Sequence, residues 1–145
     1  MKKKVIIFIS ILAIIGIFIA VKVQQNSSRS DLEKALGVDF KKVDKVTISC
    51  GTTGKKSDIV GKEKIEVFIK NFDGAKLTKD QDQERRAGFI LSVTLYKSNK
   101  DIGGFSFGYN KMIVYKGDNF TRYTSSINID DDKIENMRLK YGLTK

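Results

Sequence analysis

An uncharged apolar segment near the N-terminus constrains this chain more than any other feature. Residues 5–21 are 17 consecutive uncharged residues, and only Ser10 and Gly16 interrupt a run of Ile, Val, Leu, Phe and Ala. As a helix the run spans about 26 Å, close to the lower limit for crossing a bilayer core. Lys22 can extend its side chain to the interface and so lengthen the apolar stretch. The pattern predicts a membrane anchor over residues 1–23.

A cleaved secretory signal is the alternative for this segment. The apolar region of such a signal usually has about 7–15 residues and is followed by a small-x-small cleavage site. Here the run is longer, and Ala20, Val21 and Lys22 form no such site. A lipid-modified N-terminus is excluded because the only Cys, Cys50, lies far beyond the run. We therefore expect an uncleaved anchor.

The basic residues around the run predict its orientation. Three lysines at residues 2–4 precede it, and basic residues are sparser after it. The positive-inside rule then places the N-terminus in the cytoplasm and the rest of the chain outside. We expect a single-pass protein of the cell membrane in which residues 24–29 form a polar tether and residues 30–145 form one extracytoplasmic domain.

The composition excludes several kinds of catalysis. The chain contains no His, no Pro, no Trp and one Cys. Ser-His-Asp and Cys-His catalysis, His-ligated metal sites and Cys-rich zinc or disulfide frameworks are therefore excluded. The sequence has no Gly-rich phosphate-binding motif, so we expect no nucleotide or other cofactor.

The positive charge is divided between the anchor and the domain. The formal net charge is +10, and the first 29 residues supply five positive charges and no acid. The remaining residues carry 22 basic and 17 acidic side chains, a net of +5. Most basic residues are Lys, which cannot make the bidentate contacts of Arg. This mild balance disfavours a nucleic-acid partner.

Three segments have the caps or the periodicity of helices. They are a capping box at Ser30 and Glu33 with Gly37 at its end, residues 62–71 with Ile65, Phe68, Ile69 and Phe72 on one face, and a C-terminal segment that begins at Asp130 and carries Ile134, Met137 and Tyr141. A spacing of three or four residues places such apolar side chains on one helix face. We expect these faces to pack on a sheet.

Alternating apolar and polar residues predict the strands of that sheet. The predicted strands cover residues 43–50, 58–60, 75–78, 89–96, 105–109, 112–115 and 120–123. A tight hairpin is predicted at Asn110 and Lys111. Residues 79–86 have no apolar side chain and predict an exposed loop. The fold class expected is α+β, with an antiparallel sheet of about five to seven strands packed by helices.

Asp80, Asp82 and Glu84 alternate like the first half of an EF-hand loop. Arg85, however, occupies the position that requires Gly, and Leu91 stands where the bidentate Glu should be. We expect a solvated loop there rather than a calcium site.

Two further groups have a structural interpretation. Asp130, Asp131 and Asp132 are interpreted as acids at the positive end of a helix rather than as cation ligands. Cys50 has no His to act as its base, so we expect a buried structural thiol at the end of a strand.

Five lysines in the first half of the domain form the candidate binding site. They are Lys41, Lys42, Lys45, Lys55 and Lys56. Outside the membrane they could attract anionic lipid headgroups or anionic wall polymers. The tether spans about 20 Å at most, so the domain stays near the bilayer. We predict that these lysines contact an anionic surface, and an ordinary solvated surface is the alternative.

The order of these features resembles a known class of protein. Three lysines and an Ile-rich anchor precede a strand at residues 45–49, a turn at 51–54, a helix at 65–72 and a further strand at 95–96. This order is similar to small membrane-anchored extracytoplasmic proteins of low-GC Gram-positive bacteria, many of which belong to families of unknown function. The resemblance is architectural and implies no functional residue.

These observations favour a non-enzymatic binding or accessory module at the outer face of the cytoplasmic membrane. The expected partners are the membrane, through the N-terminal helix, and an envelope protein, anionic lipid or wall polymer. Two alternatives stay open: a cell-envelope hydrolase that uses a carboxylate pair, and an extracellular DNA-binding envelope component.

Overall fold

A computed structural model of the chain describes residues 30–84 and 89–144, and the predicted anchor and tether lie outside these residues. Among the described residues, no helix is long and apolar enough to cross a membrane. They form one α+β domain with helices and a six-stranded antiparallel sheet, which confirms that part of the prediction.

The helices lie at the start, in the middle and at the end of the described chain, and the strands lie between them. In chain order they are α1 (Asp31–Leu36), β1 (Lys45–Cys50), β2 (Lys56–Val60), α2 (Lys62–Ile69), β3 (Leu77–Lys79), β4 (Leu91–Lys97), β5 (Lys100–Lys116), β6 (Asn119–Ile129) and α3 (Asp131–Lys140), with short 3₁₀ turns at Phe40–Lys42 and Lys70–Phe72. The strand order in the sheet is β2-β1-β4-β5-β6-β3, and all neighbouring strands are antiparallel.

The predicted capping box fixes the start of α1. The Ser30 hydroxyl accepts a hydrogen bond from the Glu33 amide at 3.2 Å, and the Glu33 carboxylate accepts one from the Ser30 amide at 3.1 Å. The second Glu33 oxygen accepts a hydrogen bond from the Phe40 amide at 2.9 Å. Gly37 ends the helix in the left-handed conformation, with φ of 66°. One carboxylate therefore connects the helix start to the turn that leads into β1.

β5 is long because it folds back on itself. In a straight strand, residues 103 and 115 would lie about 40 Å apart. A Cβ on Gly103 would instead lie 3.0 Å from the Tyr115 carbonyl oxygen. The reversal falls near Tyr109, which has a φ of 54°, at the hairpin predicted for Asn110 and Lys111. The first arm of β5 pairs with β4 and the second arm pairs with β6.

The helices cover one face of the sheet with a single hydrophobic core. Their buried side chains lie in the same cluster as the inward residues of the strands. At its centre, the Phe72 ring lies 5.0 Å from the rings of both Phe105 and Phe107, in edge-to-face geometry. Phe68 and Ile69 are buried as the periodicity of residues 62–71 predicts. Such aromatic pairs each add about 0.5–1.5 kcal/mol beyond the burial of their surface.

Each strand differs from its predicted bounds at one end or both, and in two strands the pairing explains the difference. β4 begins at Leu91, and Phe89 lies before it with 42% of its surface exposed. Since β1 ends at Cys50, which lies opposite Leu91, no residue of β1 is left to pair with Phe89. β6 continues to Ile129 rather than ending at residue 123, because it pairs with both β3 and β5.

Replacing Phe68 with Ala should destabilise the domain, because this side chain is fully buried under the helix layer. Truncating a buried Phe usually costs about 3–5 kcal/mol. Chemical denaturation of the full chain should show a loss of that size in the free energy of unfolding. Lys64→Ala, on the exposed side of the same helix, is the control and should change it by less than about 0.5 kcal/mol. Equal losses for the two variants would show that the helix face is assigned wrongly.

Candidate functional site

The face of the sheet away from the helices carries mostly hydroxyl groups. Because side chains alternate along a strand, the neighbours of the core residues point to this other side. We call it the open face, and its central positions are Thr47, Ser49, Ser92, Thr94, Tyr96, Ser106 and Tyr115. Ser49 lies opposite Ser92, and Ser92 lies opposite Ser106. The register therefore aligns Ser side chains in a row across three strands.

A groove of about 610 Å³ lies on the open face. Ser92, Thr94 and Tyr115 line it together with Gly104. A Cβ on Gly104 would collide with the Val93 carbonyl oxygen of β4. The close approach of β4 and β5 therefore requires glycine there. We call this groove the central groove.

A cluster of hydroxyl groups lies beside the central groove. The Ser106 Oγ is 3.1 Å from the Ser92 Oγ and 3.4 Å from the Tyr115 Oη. A hydroxyl group donates one hydrogen bond and accepts up to two. These contacts orient the Tyr115 phenol and still leave acceptor positions for a bound group. Ser106 is buried, so the partly exposed Ser92 and Tyr115 are the members of the cluster that can hydrogen bond to a polar partner.

The charged groups at the central groove are acidic. Asp101 and Asp118 line it, and the described residues of its lining include no Lys or Arg. The Asp101 carboxylate accepts a hydrogen bond from the Gly103 amide at 2.8 Å, which holds it in place. Two carboxylates make the local potential negative, so the groove suits a neutral or cationic group better than a polyanion.

On the open face, a lysine of β1 contacts a tyrosine of the neighbouring strand β4. The Lys45 Nζ lies 4.2 Å from the centre of the Tyr96 ring and 4.0 Å from the Asp58 carboxylate. Asp58 also accepts a hydrogen bond from the Thr47 hydroxyl at 2.6 Å. The Lys45 ammonium therefore already has an aromatic and an acidic partner within the domain.

The five predicted anion-contacting lysines lie on more than one surface. Lys41 and Lys42 belong to the 3₁₀ turn before β1, and Lys41 lines a groove on the helix side. Lys45 and Lys56 project from the open face of β1 and β2, and Lys55 lies in the turn between these strands. The structure thus brings Lys55 and Lys56 together but separates them from Lys41 and Lys42. Joint contact of all five with an anionic surface stays a prediction.

Asp80 has a structural contact that the sequence did not reveal. Its carboxylate accepts a hydrogen bond from the Thr124 hydroxyl at 2.6 Å and lies 3.1 Å from the Lys111 Nζ. The hydrogen bond from Thr124 and the Lys111 ammonium lower the pKa of Asp80, against the opposing effect of burial. Gln83 also hydrogen bonds to the backbone of Arg122 on β6. The described part of the predicted exposed loop is therefore tied to the sheet.

Other residues considered as metal ligands also have local partners. Among residues 30–84 and 89–144, no group of acids and thiols could hold a metal ion. Asp130 caps α3 by accepting a hydrogen bond from the Lys133 amide at 3.0 Å. A hydrogen bond to Asp131 raises the pKa of Tyr109 at the reversal of β5. The interpretation of Asp130 as a helix cap is confirmed.

Cys50 is buried at the end of β1, as expected. Its Sγ lies 3.2 Å from the Thr52 hydroxyl. Burial raises the pKa of the thiol, but hydrogen bonds from Thr52 and Thr53 outweigh it and lower the pKa to about 6. With 1% of its surface exposed, the thiol faces the protein interior.

Sequence patterns alone do not indicate the residues of the central groove. Each Ser and Thr there looks like an ordinary outward residue of a strand. The adjacent glycines Gly103 and Gly104 were the available indication, because glycine inside a strand often marks a close backbone approach. Comparison of the chain with protein-family models, curated proteins and solved structures gave no match.

The contact of Asp80 predicts a pH-dependent contribution to stability. Its pKa in the folded state lies below the unfolded value of about 3.9. The stabilisation is therefore present above about pH 4 and is lost as the pH falls through the lower, folded value. Asp80→Asn should reduce the free energy of unfolding near neutral pH, and its difference from the wild type should shrink on acidification. Asp73→Asn, at an exposed carboxylate, is the control, and a difference for Asp80→Asn that stays constant with pH would contradict the assignment.

Proposed function

We propose that this chain is a non-enzymatic binding or accessory module held at the outer face of the cytoplasmic membrane, with the open face as its binding surface. The observation that supports this proposal is the asymmetry of the sheet. Helices and core cover one face, while the other presents aligned hydroxyl groups around a groove of about 610 Å³. A concave polar site with an aromatic wall is the usual form of a binding site.

The chemistry of the central groove favours an envelope protein as the partner. Its hydroxyl groups and the Tyr115 ring suit a surface loop that offers both polar and apolar groups. Asp101 and Asp118 would repel the phosphates of DNA or of an anionic wall polymer. An anionic surface would have to contact the lysines elsewhere on the domain.

The predicted anchor supports the proposed location. An apolar run of 17 residues preceded by three lysines favours a single helix with the domain outside. The six-residue tether limits the domain to about 20 Å from the bilayer. The partner would therefore be a molecule that approaches the outer surface of the membrane.

An envelope hydrolase is the second candidate, and one observation favours it. Asp101 and Asp118 line the same groove, as a carboxylate pair for glycoside hydrolysis would. In that case Asp101→Asn and Asp118→Asn should each abolish cleavage of wall glycan. For a binding module, the wild-type chain should release no product from the same substrate.

Site-specific photocrosslinking in the native membrane tests the binding surface. A photoreactive amino acid at Thr94, inside the central groove, should crosslink the full chain to one envelope protein. The same amino acid at Lys133, exposed on α3, is the control and should give no such product. Equal products from both positions, or none from Thr94, would refute the assigned surface.

Protease treatment of intact cells tests the predicted anchor. The domain should be degraded while an N-terminal fragment stays in the membrane, because only the domain is accessible from outside. Protease should leave the domain intact if it faces the cytoplasm. Recovery of the whole chain from the culture medium would contradict the anchor.

A further inference from the structure

β2 forms one edge of the sheet, and half of its backbone groups point away from the domain. The Cys50 amide donates to the Lys55 carbonyl at 2.9 Å, so this pair is hydrogen bonded. Hydrogen-bonded and non-hydrogen-bonded pairs alternate in an antiparallel ladder. Ser57 therefore turns its amide and carbonyl toward β1, whereas Lys56 and Asp58 turn theirs outward. The outward groups form a template for another strand.

Two exposed aliphatic side chains and a groove of mixed polarity lie beside this edge. Val60 at the end of β2 is 60% exposed and Val67 on α2 is 49% exposed. A groove of about 490 Å³ lies between the edge and the helices. Its lining is both apolar and charged: Ile59, Val67 and Tyr141 together with Asp58, Glu63, Lys64 and Lys140. Exposed aliphatic side chains next to an unpaired strand are typical of an interaction surface.

We propose that β2 pairs with β2 of a second copy of this chain, antiparallel, about a two-fold axis through Ser57. This register places Lys56 of each copy opposite Asp58 of the other, so two oppositely charged pairs form. An axis through Asp58 would instead place two carboxylates directly opposite each other, which is destabilising. The charges of β2 thus favour its own copy in one register.

The symmetry of this pairing agrees with attachment to one membrane. The two-fold axis of an antiparallel strand pair is perpendicular to the sheet, so both helix layers lie on the same side. Ser30, where the domain begins, lines a groove together with Lys62 and Ile65 of α2, which places it on that side. Both tethers can therefore enter the same bilayer. This last step rests on the proposed anchor, whereas the pairing itself uses only described residues.

The pairing also leaves the binding surface free. Edge pairing extends the sheet sideways and does not cover the open face. The assembly would present two central grooves side by side, and the exposed Val67 side chains would approach each other across the axis. Two linked sites can bind a two-site partner more tightly than either site alone.

Disulfide crosslinking of the full chain in native membranes tests the pairing. The Cα atoms of a non-hydrogen-bonded pair lie about 4.5 Å apart, within the range of a disulfide. Ser57→Cys should therefore form a covalent dimer under oxidising conditions. Ser126→Cys is the control and should stay monomeric. It is the same substitution on β6, which lies toward the opposite edge of the sheet from β2. Equal crosslinking of the two variants, or none from Ser57→Cys, would overturn the proposal.

Charge reversal in the Ser57→Cys background tests the register. Lys56→Glu and Asp58→Lys each create like-charged pairs, and each should lower the crosslinking yield by about tenfold. When the two variants are expressed together, every pair between them is again oppositely charged, and the mixed dimer should recover. Failure to recover, with both variants shown to be folded by their melting temperatures, would refute this register. Crosslinking at Thr94 tests the proposed function separately, because its expected product joins the chain to an envelope protein and not to a second copy of the chain.

Discussion

The packing of Phe72 against Phe105 and Phe107 determines which face of the sheet is covered. The ring of Phe72 lies 5.0 Å from each of the other two, so the segment after α2 is held against the first arm of β5. Because side chains alternate, burying Phe105 and Phe107 places Gly104 and Ser106 on the opposite side. The position of the central groove therefore follows from the aromatic contact beneath it.

Local patterns in the sequence predict much of this fold. The capping box at Ser30, the buried face of residues 62–71 and the reversal near Asn110 follow from side-chain spacing and turn chemistry. The pairing of β1 with β4 and of β3 with β6 does not, because these partners lie far apart in the chain. Asp80 and Thr124 are separated by 44 residues, and neither residue has a local feature that indicates the other.

The candidate site was harder to predict for the same reason. Ser92, Thr94 and Tyr115 come from two strands, and they become neighbours only because β4 pairs with the first arm of β5 and the second arm folds back beside it. Conversely, lysines that are close in sequence diverge, since Lys41 lies on the helix side and Lys45 on the open face. Composition therefore indicated a basic chain, whereas the groove itself is bordered by carboxylates.

The proposed pairing of β2 and the proposed anchor would reinforce each other energetically. A pairing between two five-residue strands provides a few hydrogen bonds, each worth about 1 kcal/mol net, and two exposed ion pairs worth less. In dilute solution the loss of translational and rotational freedom would outweigh most of this gain. If the proposed anchor holds two copies in one bilayer, they have already lost part of that freedom, and the same contacts would form a dimer there. Weak edge contacts would then allow copies to associate and separate, while each open face remains available to its partner.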